Sequence, residues 1–106
     1  MSSIWKVKIH RLVLSEDFKS ISHPDQKIIL RDINKKLSLD PQNYGKPLAG
    51  ELKGYWRLRV GDYRVIYKVC REVVEVLVIK VGIRRNSEVY LNVFYRLEKM
   101  GKDLFS

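Results

Sequence analysis

Cysteine is almost absent from this sequence: Cys70 is the only one among 106 residues. An internal disulfide therefore cannot form within the chain, and a metal site built from several cysteines is excluded. This usage is typical of proteins that work in a reducing compartment, so we expect a cytoplasmic protein in which Cys70 is an inert, small apolar residue.

Long apolar runs are also absent. None approaches the roughly 20 residues that a helix needs to cross a bilayer, so we expect no membrane partner. The segment Met1–His10 carries Lys6 and Lys8 among its apolar residues and lacks the apolar core of a signal peptide. The length of 106 residues fits one domain, and a chain of this size buries about two-thirds of its unfolded surface. We expect residues 1–106 to form a single domain.

Acidic residues are scarce relative to basic ones. The chain has 12 Asp and Glu against 21 Lys and Arg, a formal net charge of +9. Such an excess is the electrostatic pattern of nucleic-acid binding proteins, although a basic surface can also serve solubility alone. The positions of the cations therefore matter more than their number.

The first half of the chain predicts a strand followed by two helices. Residues 5–10 alternate apolar and polar side chains, which is typical of a half-buried strand. Ser15 is suited to cap a short helix that ends by His23, because Pro24 disfavours the helical conformation in the residue before it. The second helix begins at Pro24 and runs for about four turns. Its apolar side recurs every four residues, at Ile29, Ile33 and Leu37.

The second half predicts three antiparallel strands and a last helix. The strands are residues 55–60, 63–70 and 73–81, with Gly61-Asp62 as a two-residue turn. The helix begins after Ser87. Its inward side carries Val89, Val93, Leu97 and Met100. The order predicts an α+β fold, in which the N-terminal strand and two helices pack on an antiparallel sheet with a C-terminal strand meander and a short C-terminal helix.

The Gly61-Asp62 turn sets the pairing of the first two of these strands. One face should carry the core residues Trp56, Leu58, Val60, Tyr63, Val65, Tyr67 and Val69. The other face should carry four cations, Arg57, Arg59, Arg64 and Lys68. Arg59 lies directly opposite Arg64, an unfavourable pairing of like charges that an absent polyanion would explain. We therefore favour phosphate binding by this face over a merely solvated face.

Apolar residues should share this cationic face. If Arg71-Glu72 is also a two-residue turn, they are Ile66, Leu77, Ile79 and Val81. A sheet that is apolar on both faces needs a packing partner on each face, because a large exposed apolar patch is unfavourable. Either the C-terminal helix or a partner protein should pack on this second face.

The stretch at residues 56–67, WRLRVGDYRVIY, resembles the central hairpin of the RelE/ParE toxin superfamily. Residues 81–90, VGIRRNSEVY, are similar to the RelE version of the segment after the last strand, and residues 48–54 resemble the approach to the hairpin. The resemblance spans about Ile4 to Tyr90 and implies a RelE-like fold. The hairpin alone separates the nuclease branch from the gyrase-inhibiting branch poorly, because both carry it.

The resemblance implies the toxin of a type II toxin–antitoxin system. The RelE branch consists of ribosome-dependent endoribonucleases that cleave mRNA in the A site and use no metal or other cofactor. Its partners would be the ribosome, mRNA and a cognate antitoxin, in a complex that is heterotetrameric or similar. Matching the family's motif to this sequence assigns the catalytic residues to Arg57, Arg59, Arg64, Arg84 and Tyr90.

RNA cleavage without a metal explains why such residues are needed. The 2′-hydroxyl attacks the adjacent phosphate, so a base, a clamp for the pentacovalent anion and a proton for the leaving oxygen are required. Arg57 and Arg64 suit the clamp because the guanidinium grips phosphate bidentately, and Arg59 would hold the backbone. Tyr90 would be the general base or a base-stacking group. Arg84 would donate the proton or stabilise charge.

Structural interpretations stand beside these roles. Tyr90 can be an ordinary residue of the last helix, and Arg84 can form a solvated pair with Arg85. His10 and His23 look like an acid and a base, but a strand end and a position before proline favour structural roles for them. At the level of the whole chain, the alternatives are a ParE-type DNA gyrase inhibitor and a non-catalytic module that binds RNA or the ribosome.

Overall fold

A five-stranded sheet organises the chain. The structure is a computed structural model that describes residues 4–83 and 88–101. The strands are β1 (Lys6–Ile9), β2 (Lys46–Pro47), β3 (Tyr55–Val60), β4 (Tyr63–Cys70) and β5 (Glu75–Ile83), in the spatial order β1-β5-β4-β3-β2. Strands β2 to β5 pair antiparallel, whereas β1 pairs with β5 in parallel. The predicted α+β fold and strand meander are confirmed, and the first strand makes the sheet mixed because the helices carry the chain from one edge to the other.

The helices are α1 (Arg11–Ser15), α2 (His23–Asp32), α3 (Pro41–Tyr44) and α4 (Glu88–Met100). The prediction that Ser15 begins a helix is wrong, because α1 ends there and a 3₁₀ turn, Asp17–Ser20, follows. The cap of α1 is His10, whose Nδ1 accepts a hydrogen bond from the Leu12 amide at 3.1 Å. The imidazole thus satisfies one of the amide donors that the first turn of a helix leaves without a partner inside the helix.

Helix α2 begins close to where the sequence predicts it. Ser22 caps it by accepting a hydrogen bond from the Asp25 amide, and Pro24 lies in its first turn. The helix continues into a wide π turn at Ile33–Leu37. Ile29, Ile33 and Leu37 are each fully buried, as their four-residue spacing predicts.

Two apolar clusters cover opposite faces of the sheet. On the face that we call the α2 face, the buried strand residues pack with α2 and the π turn; they include Leu58, Val65, Tyr67, Val76, Val78 and Val81. On the other, the α4 face, Ile66, Leu77 and Ile79 pack with residues of α4, namely Val89, Val93 and Met100. The C-terminal helix α4 therefore packs on the second apolar face of the sheet, one of the two arrangements that the sequence predicts.

The β4–β5 connection is longer than predicted. Arg71–Val73 form a 3₁₀ turn, and Val74 follows in the left-handed conformation with φ 54°. Cys70 consequently pairs with Glu75. The four-residue loop keeps Leu77 on the α4 face, because lengthening a turn by two residues preserves the alternation of faces.

A bulge between β4 and β5 overturns one predicted placement. Ile66 pairs with Lys80 while Tyr67 pairs with Val78, so Ile79 is an extra residue in β5. One extra residue reverses the faces of everything after it. Val81, predicted on the cationic face, therefore lies in the α2-face core.

In the part of the chain that the structure describes, no helix combines the length and apolar character that a membrane span would need.

Candidate nucleic-acid interface

Strand register builds two rows of basic residues on the α4 face. Arg59 pairs with Arg64, and Arg64 pairs on its other side with Gly82. In the next row, Ile66 separates the basic residues Arg57 and Lys80. The pairing of Arg59 with Arg64 is the one that the Gly61-Asp62 turn predicts, because a two-residue turn leaves only one register for the hairpin.

These cations differ in how far they reach solvent. Arg59 and Lys68 are exposed, Arg57 is half-buried, and Arg64 is only 3% exposed. The face is therefore not the uniformly open cationic surface that the strand pattern suggests. Arg59 stands at the surface, and Arg64 lies directly beside it beneath the surface.

Arg57 carries an unsatisfied donor. Its Nε atom is buried and has no hydrogen-bond partner among the described residues. A buried N–H group without a partner costs about 1–3 kcal/mol, and a charged group costs more. An oxygen of a bound anion is the kind of acceptor that would satisfy this donor.

Gly82 lets α4 approach this row closely. A Cβ atom added at Gly82 would lie 2.8 Å from Cγ2 of Val89, which is closer than two carbon atoms pack. Gly82 pairs with Arg64, and Val89 immediately precedes Tyr90. The absence of a side chain at Gly82 therefore brings the first described turn of α4, with Tyr90, against the strand that borders the arginine pair.

Tyr90 is half-buried and packs against the α4-face cluster. This position fits both interpretations of Tyr90 that the sequence allows. Tyr90 can be a residue of the functional site, or it can be an ordinary packing residue of the last helix. Arg84 and Arg85 lie outside the described residues. The structure consequently brings Arg57, Arg59, Arg64 and the helix turn of Tyr90 to one face and leaves the position of Arg84 open.

A buried cluster of charges, which the sequence pattern does not predict, joins α4 to the rest of the chain. The carboxylate of Asp17 accepts hydrogen bonds from Lys80 Nζ at 2.9 Å, from the Val81 amide at 2.9 Å and from both Nη atoms of Arg96 at 3.1 and 2.7 Å. Arg96 is 5% exposed and Asp17 7%. The available signal was the spacing of Arg96, which puts it on the same side of the helix as Val93 and Met100.

A weaker pair extends this cluster to the surface. Glu16 accepts hydrogen bonds from Arg96 and from Lys99. The bond from Lys99 lowers the pKa of Glu16 below its ordinary value. Because Glu16 and Lys99 are both exposed, this outer pair contributes little to stability.

The aromatic residues of the hairpin have structural roles. Tyr63 donates a hydrogen bond to Asp25 at 2.8 Å, which raises the pKa of Tyr63 and ties the hairpin to the start of α2. Trp56 stacks on Tyr67 with ring centroids 6.5 Å apart. Trp56 and Tyr63 are partly buried and pack against the α2-face core, on the side of the sheet opposite the arginines.

Comparison with known proteins identifies the family. Residues 7–88 match the sequence profile described as the ParE toxin of the type II toxin–antitoxin system parDE. The chain belongs to this family. It is therefore a toxin of a type II toxin–antitoxin system, in the superfamily that the hairpin motif predicts. No curated protein matches the toxin in sequence.

Solved structures of RelE toxins share the fold. The toxin–antitoxin complex RelBE2 from Mycobacterium tuberculosis matches with a TM-score of 0.72 and 25% identity, covering 79% of this chain and 95% of that chain. The RelE–RelB complex from Pyrococcus horikoshii matches with a TM-score of 0.56 and 27% identity over 78% and 98% of the two chains. A mutant of the Escherichia coli toxin RelE in complex with a peptide of the antitoxin RelB matches with a TM-score of 0.62 and 25% identity over 85% and 94%.

Proposed function

We propose that the toxin is a metal-independent endoribonuclease that cleaves mRNA in the A site of the translating ribosome. The observation that carries this proposal is the contact between Gly82 and Val89. Through it, the helix turn of Tyr90 meets the strand residue that pairs with Arg64. A tyrosine and several arginines converging on one face form a set of groups that RNA cleavage by the 2′-hydroxyl can use.

The reaction would be an internal transesterification. The 2′-oxygen bonds to phosphorus and loses its proton to a base, while the bond from phosphorus to the 5′-oxygen breaks and that oxygen takes up a proton. The products are a 2′,3′-cyclic phosphate and a 5′-hydroxyl end. Negative charge builds on the phosphate oxygens in the transition state, so fixed cations there lower the barrier.

The accessibility of each arginine suggests its part in this reaction. Arg59 is exposed and would make the first contact with the RNA backbone. Arg57, whose buried Nε has no hydrogen-bond partner among the described residues, and Arg64 would hold the phosphate oxygens in the transition state. Tyr90 would be the general base or would stack on a base, and Arg84 would supply the proton or stabilise charge.

We further propose that the toxin, a single domain of residues 1–106, works in the cytoplasm and is silenced by an antitoxin. RelE toxins of similar fold occur in complexes with RelB. The outward side of α4 exposes Leu91, Phe94 and Tyr95 by 61%, 39% and 71%. An apolar stripe on a chain of charge +9 suits an acidic amphipathic segment, in an assembly that is heterotetrameric or similar.

Gyrase inhibition is the second candidate. The matching profile is that of ParE toxins, and the ParE branch of the superfamily inhibits DNA gyrase rather than cutting RNA. A non-catalytic module that binds RNA or the ribosome is the third, since exposed Arg59 and Lys68 can contact phosphates without any part being taken by Arg64, which is 3% exposed.

Mapping RNA ends in cells tests the first candidate. The wild-type toxin, an Arg64→Ala/Tyr90→Phe variant and an Arg31→Ala control are each induced, and 5′ ends are mapped on a translated and an untranslated copy of one transcript. Arg31 is an exposed arginine of α2, so the control removes one surface arginine from another element. We expect 5′-hydroxyl ends at codon-phased positions on the translated copy only, for the wild type and the control but not for the double variant.

Other outcomes identify the alternatives. Growth arrest with intact mRNA and stalled or broken DNA would replace the nuclease by the gyrase inhibitor. Arrest with neither mRNA nor DNA damage would indicate a non-catalytic module that blocks the ribosome. Either result contradicts the endoribonuclease.

A further inference from the structure

The buried carboxylate of Asp17 joins three elements at one point. It lies in the 3₁₀ turn after α1, and its hydrogen bonds come from two residues of β5 and one of α4, which are Lys80, Val81 and Arg96. A carboxylate with four donors around it has all its lone pairs occupied. The position of α4 relative to the sheet is therefore defined at this carboxylate.

Arg96 is held on both of its Nη atoms. One donates to Asp17 at 3.1 Å and to the Ile79 carbonyl at 3.0 Å, and the other donates to Asp17 at 2.7 Å. A planar guanidinium bound by a carboxylate and a carbonyl has a single orientation. The apolar contacts of Val89 and Met100 lack such directionality, because burial of apolar surface is not sensitive to a small slide or rotation of the helix.

The same helix carries Tyr90. Tyr90 lies six residues before Arg96, about 9 Å along the helix axis at 1.5 Å per residue. The contact of Val89 with Gly82 supports the start of the helix, and Arg96 supports its second half. Two supports at different heights are sufficient to define both the tilt and the register of α4.

We propose that Asp17 and Arg96 are positioning residues, which set the register of α4 on the sheet and thereby hold Tyr90 beside the Arg59–Arg64 pair. The inference rests on the proposed nuclease activity for its functional readout. Neither residue would touch the RNA. Their effect on cleavage passes through Tyr90.

Stability and register can be separated experimentally. Removing one member of a buried ion pair leaves an uncompensated charge, whereas replacing both by uncharged groups of similar size often preserves the fold. The Asp17→Asn/Arg96→Met variant keeps an acceptor for the Val81 amide and an apolar side chain in place of Arg96. Lys80, whose side chain is 15% exposed, can turn toward solvent in this variant.

Single-turnover cleavage of mRNA on programmed ribosomes measures the effect. Thermal unfolding first identifies which variants fold, among Asp17→Asn, Arg96→Lys, the double variant and a Lys99→Gln control that removes only the exposed contact of Lys99 with Glu16. For the folded variants of Asp17 and Arg96, we expect the saturating rate to fall about 10- to 100-fold, as misplacement of a reacting group by about 1 Å does. The toxin concentration at half-saturation should stay within about twofold of the wild-type value, because the phosphate contacts remain.

The Tyr90→Phe background tests whether the effect passes through Tyr90. There, Asp17→Asn should lower the rate little further, since residues that act through one group are not additive. The proposal is overturned if the folded double variant cleaves at the wild-type rate. It is also overturned if Asp17→Asn lowers the rate by the same factor with and without Tyr90.

Fluorine NMR separates failure of this inference from failure of the nuclease. If the wild-type toxin does not cleave mRNA, the proposed endoribonuclease activity is wrong. The environment of Tyr90 is then monitored through the resonance of 3-fluorotyrosine incorporated into the toxin. Tyr90→Phe assigns the resonance by deleting it. A shift or broadening of that resonance in Arg96→Lys and in the double variant, but not in Lys99→Gln, supports the positioning role, and an unmoved resonance overturns it.

Discussion

Single side chains decide how closely elements of this toxin meet. Gly82 has no Cβ atom, and this leaves room for the side chain of Val89 to approach β5. Tyr67 matters for one hydroxyl: it is fully buried and donates a hydrogen bond to the Pro41 carbonyl at 2.5 Å, which anchors α3 on the sheet. Tyr67 and Pro41 lie 26 residues apart in sequence, whereas Gly82 and Val89 lie seven apart.

Gly82→Ala should destabilise the toxin by about 1–3 kcal/mol, because the added methyl group overpacks the contact with Val89. Urea unfolding measures this loss. Adding Val89→Ala to Gly82→Ala should then cost about 1 kcal/mol less than Val89→Ala costs in the wild type, since the two side chains share the crowded space. Strict additivity of the two substitutions would show that the contact is not crowded.

Tyr67→Phe should cost about 1–3 kcal/mol near neutral pH, because the buried Pro41 carbonyl loses its donor. It should also change the response to alkali. Burial, with a smaller contribution from Asp40, raises the pKa of Tyr67 in the folded chain above the ordinary value of 10.0. The unfolded chain therefore loses this proton first as the pH rises.

The sign of the alkaline effect follows from linkage. Above about pH 10 the ionised unfolded form is favoured, so the free energy of unfolding of the wild type should fall relative to that of Tyr67→Phe. Urea unfolding between about pH 9 and pH 11 measures this difference. Tyr95→Phe is the control, because Tyr95 is 71% exposed on α4. A difference between wild type and Tyr67→Phe that does not change with pH contradicts the expectation.

At the scale of elements, turns and bulges determine which face a strand residue joins. The Gly61-Asp62 turn is short enough that the sequence predicts the β3–β4 register correctly. The sequence predicts the β4–β5 register less well, because the loop between these strands holds four residues and β5 contains a bulge. Residues 76–79 are all apolar, so no alternation in this part of β5 marks Ile79 as the extra residue.

The β4–β5 loop stores strain at Val74. A β-branched residue with φ 54° and ψ 50° lies in the left-handed region, which costs on the order of 1–3 kcal/mol. Val74→Asn should therefore stabilise the toxin by about 1 kcal/mol, because asparagine tolerates this conformation and Val74 is 40% exposed. Thermal or urea unfolding measures the gain.

The neighbouring residue provides the control for this substitution. Val73 is 61% exposed and has no positive φ, so Val73→Asn should not stabilise the toxin. An equal gain from both substitutions would show that surface polarity, rather than backbone strain, is responsible.

At the scale of the whole molecule, charge governs association. A net charge of +9 attracts RNA from a distance, but only cations that contact phosphates release counterions on binding. Arg59 is exposed beside Arg64 on the α4 face, whereas Arg31 is exposed on α2. The two arginines contribute equally to the net charge and differently to the proposed interface.

Arg59→Ala should therefore reduce the salt dependence of RNA binding. For a single-stranded oligonucleotide, the slope of log K against log salt concentration should decrease by about 0.7, the value for one lost phosphate contact. Fluorescence anisotropy at several salt concentrations measures the slope. Arg31→Ala should leave this slope unchanged. Equal changes of slope in both variants would mean that each arginine affects RNA binding only through the net charge of the toxin.

The amino-acid sequence alone predicts β1, β3, β4, β5, α2 and α4, together with the β3–β4 register and the pairing of Arg59 with Arg64, but not α1, α3 or β2. These features depend on alternation, helical spacing and a two-residue turn, all of which are local. Tertiary packing buries Arg64, pairs β1 in parallel with β5 and joins Asp17 to Arg96. These features join residues as much as 79 positions apart, and such contacts depend on how the packed elements meet rather than on any local pattern.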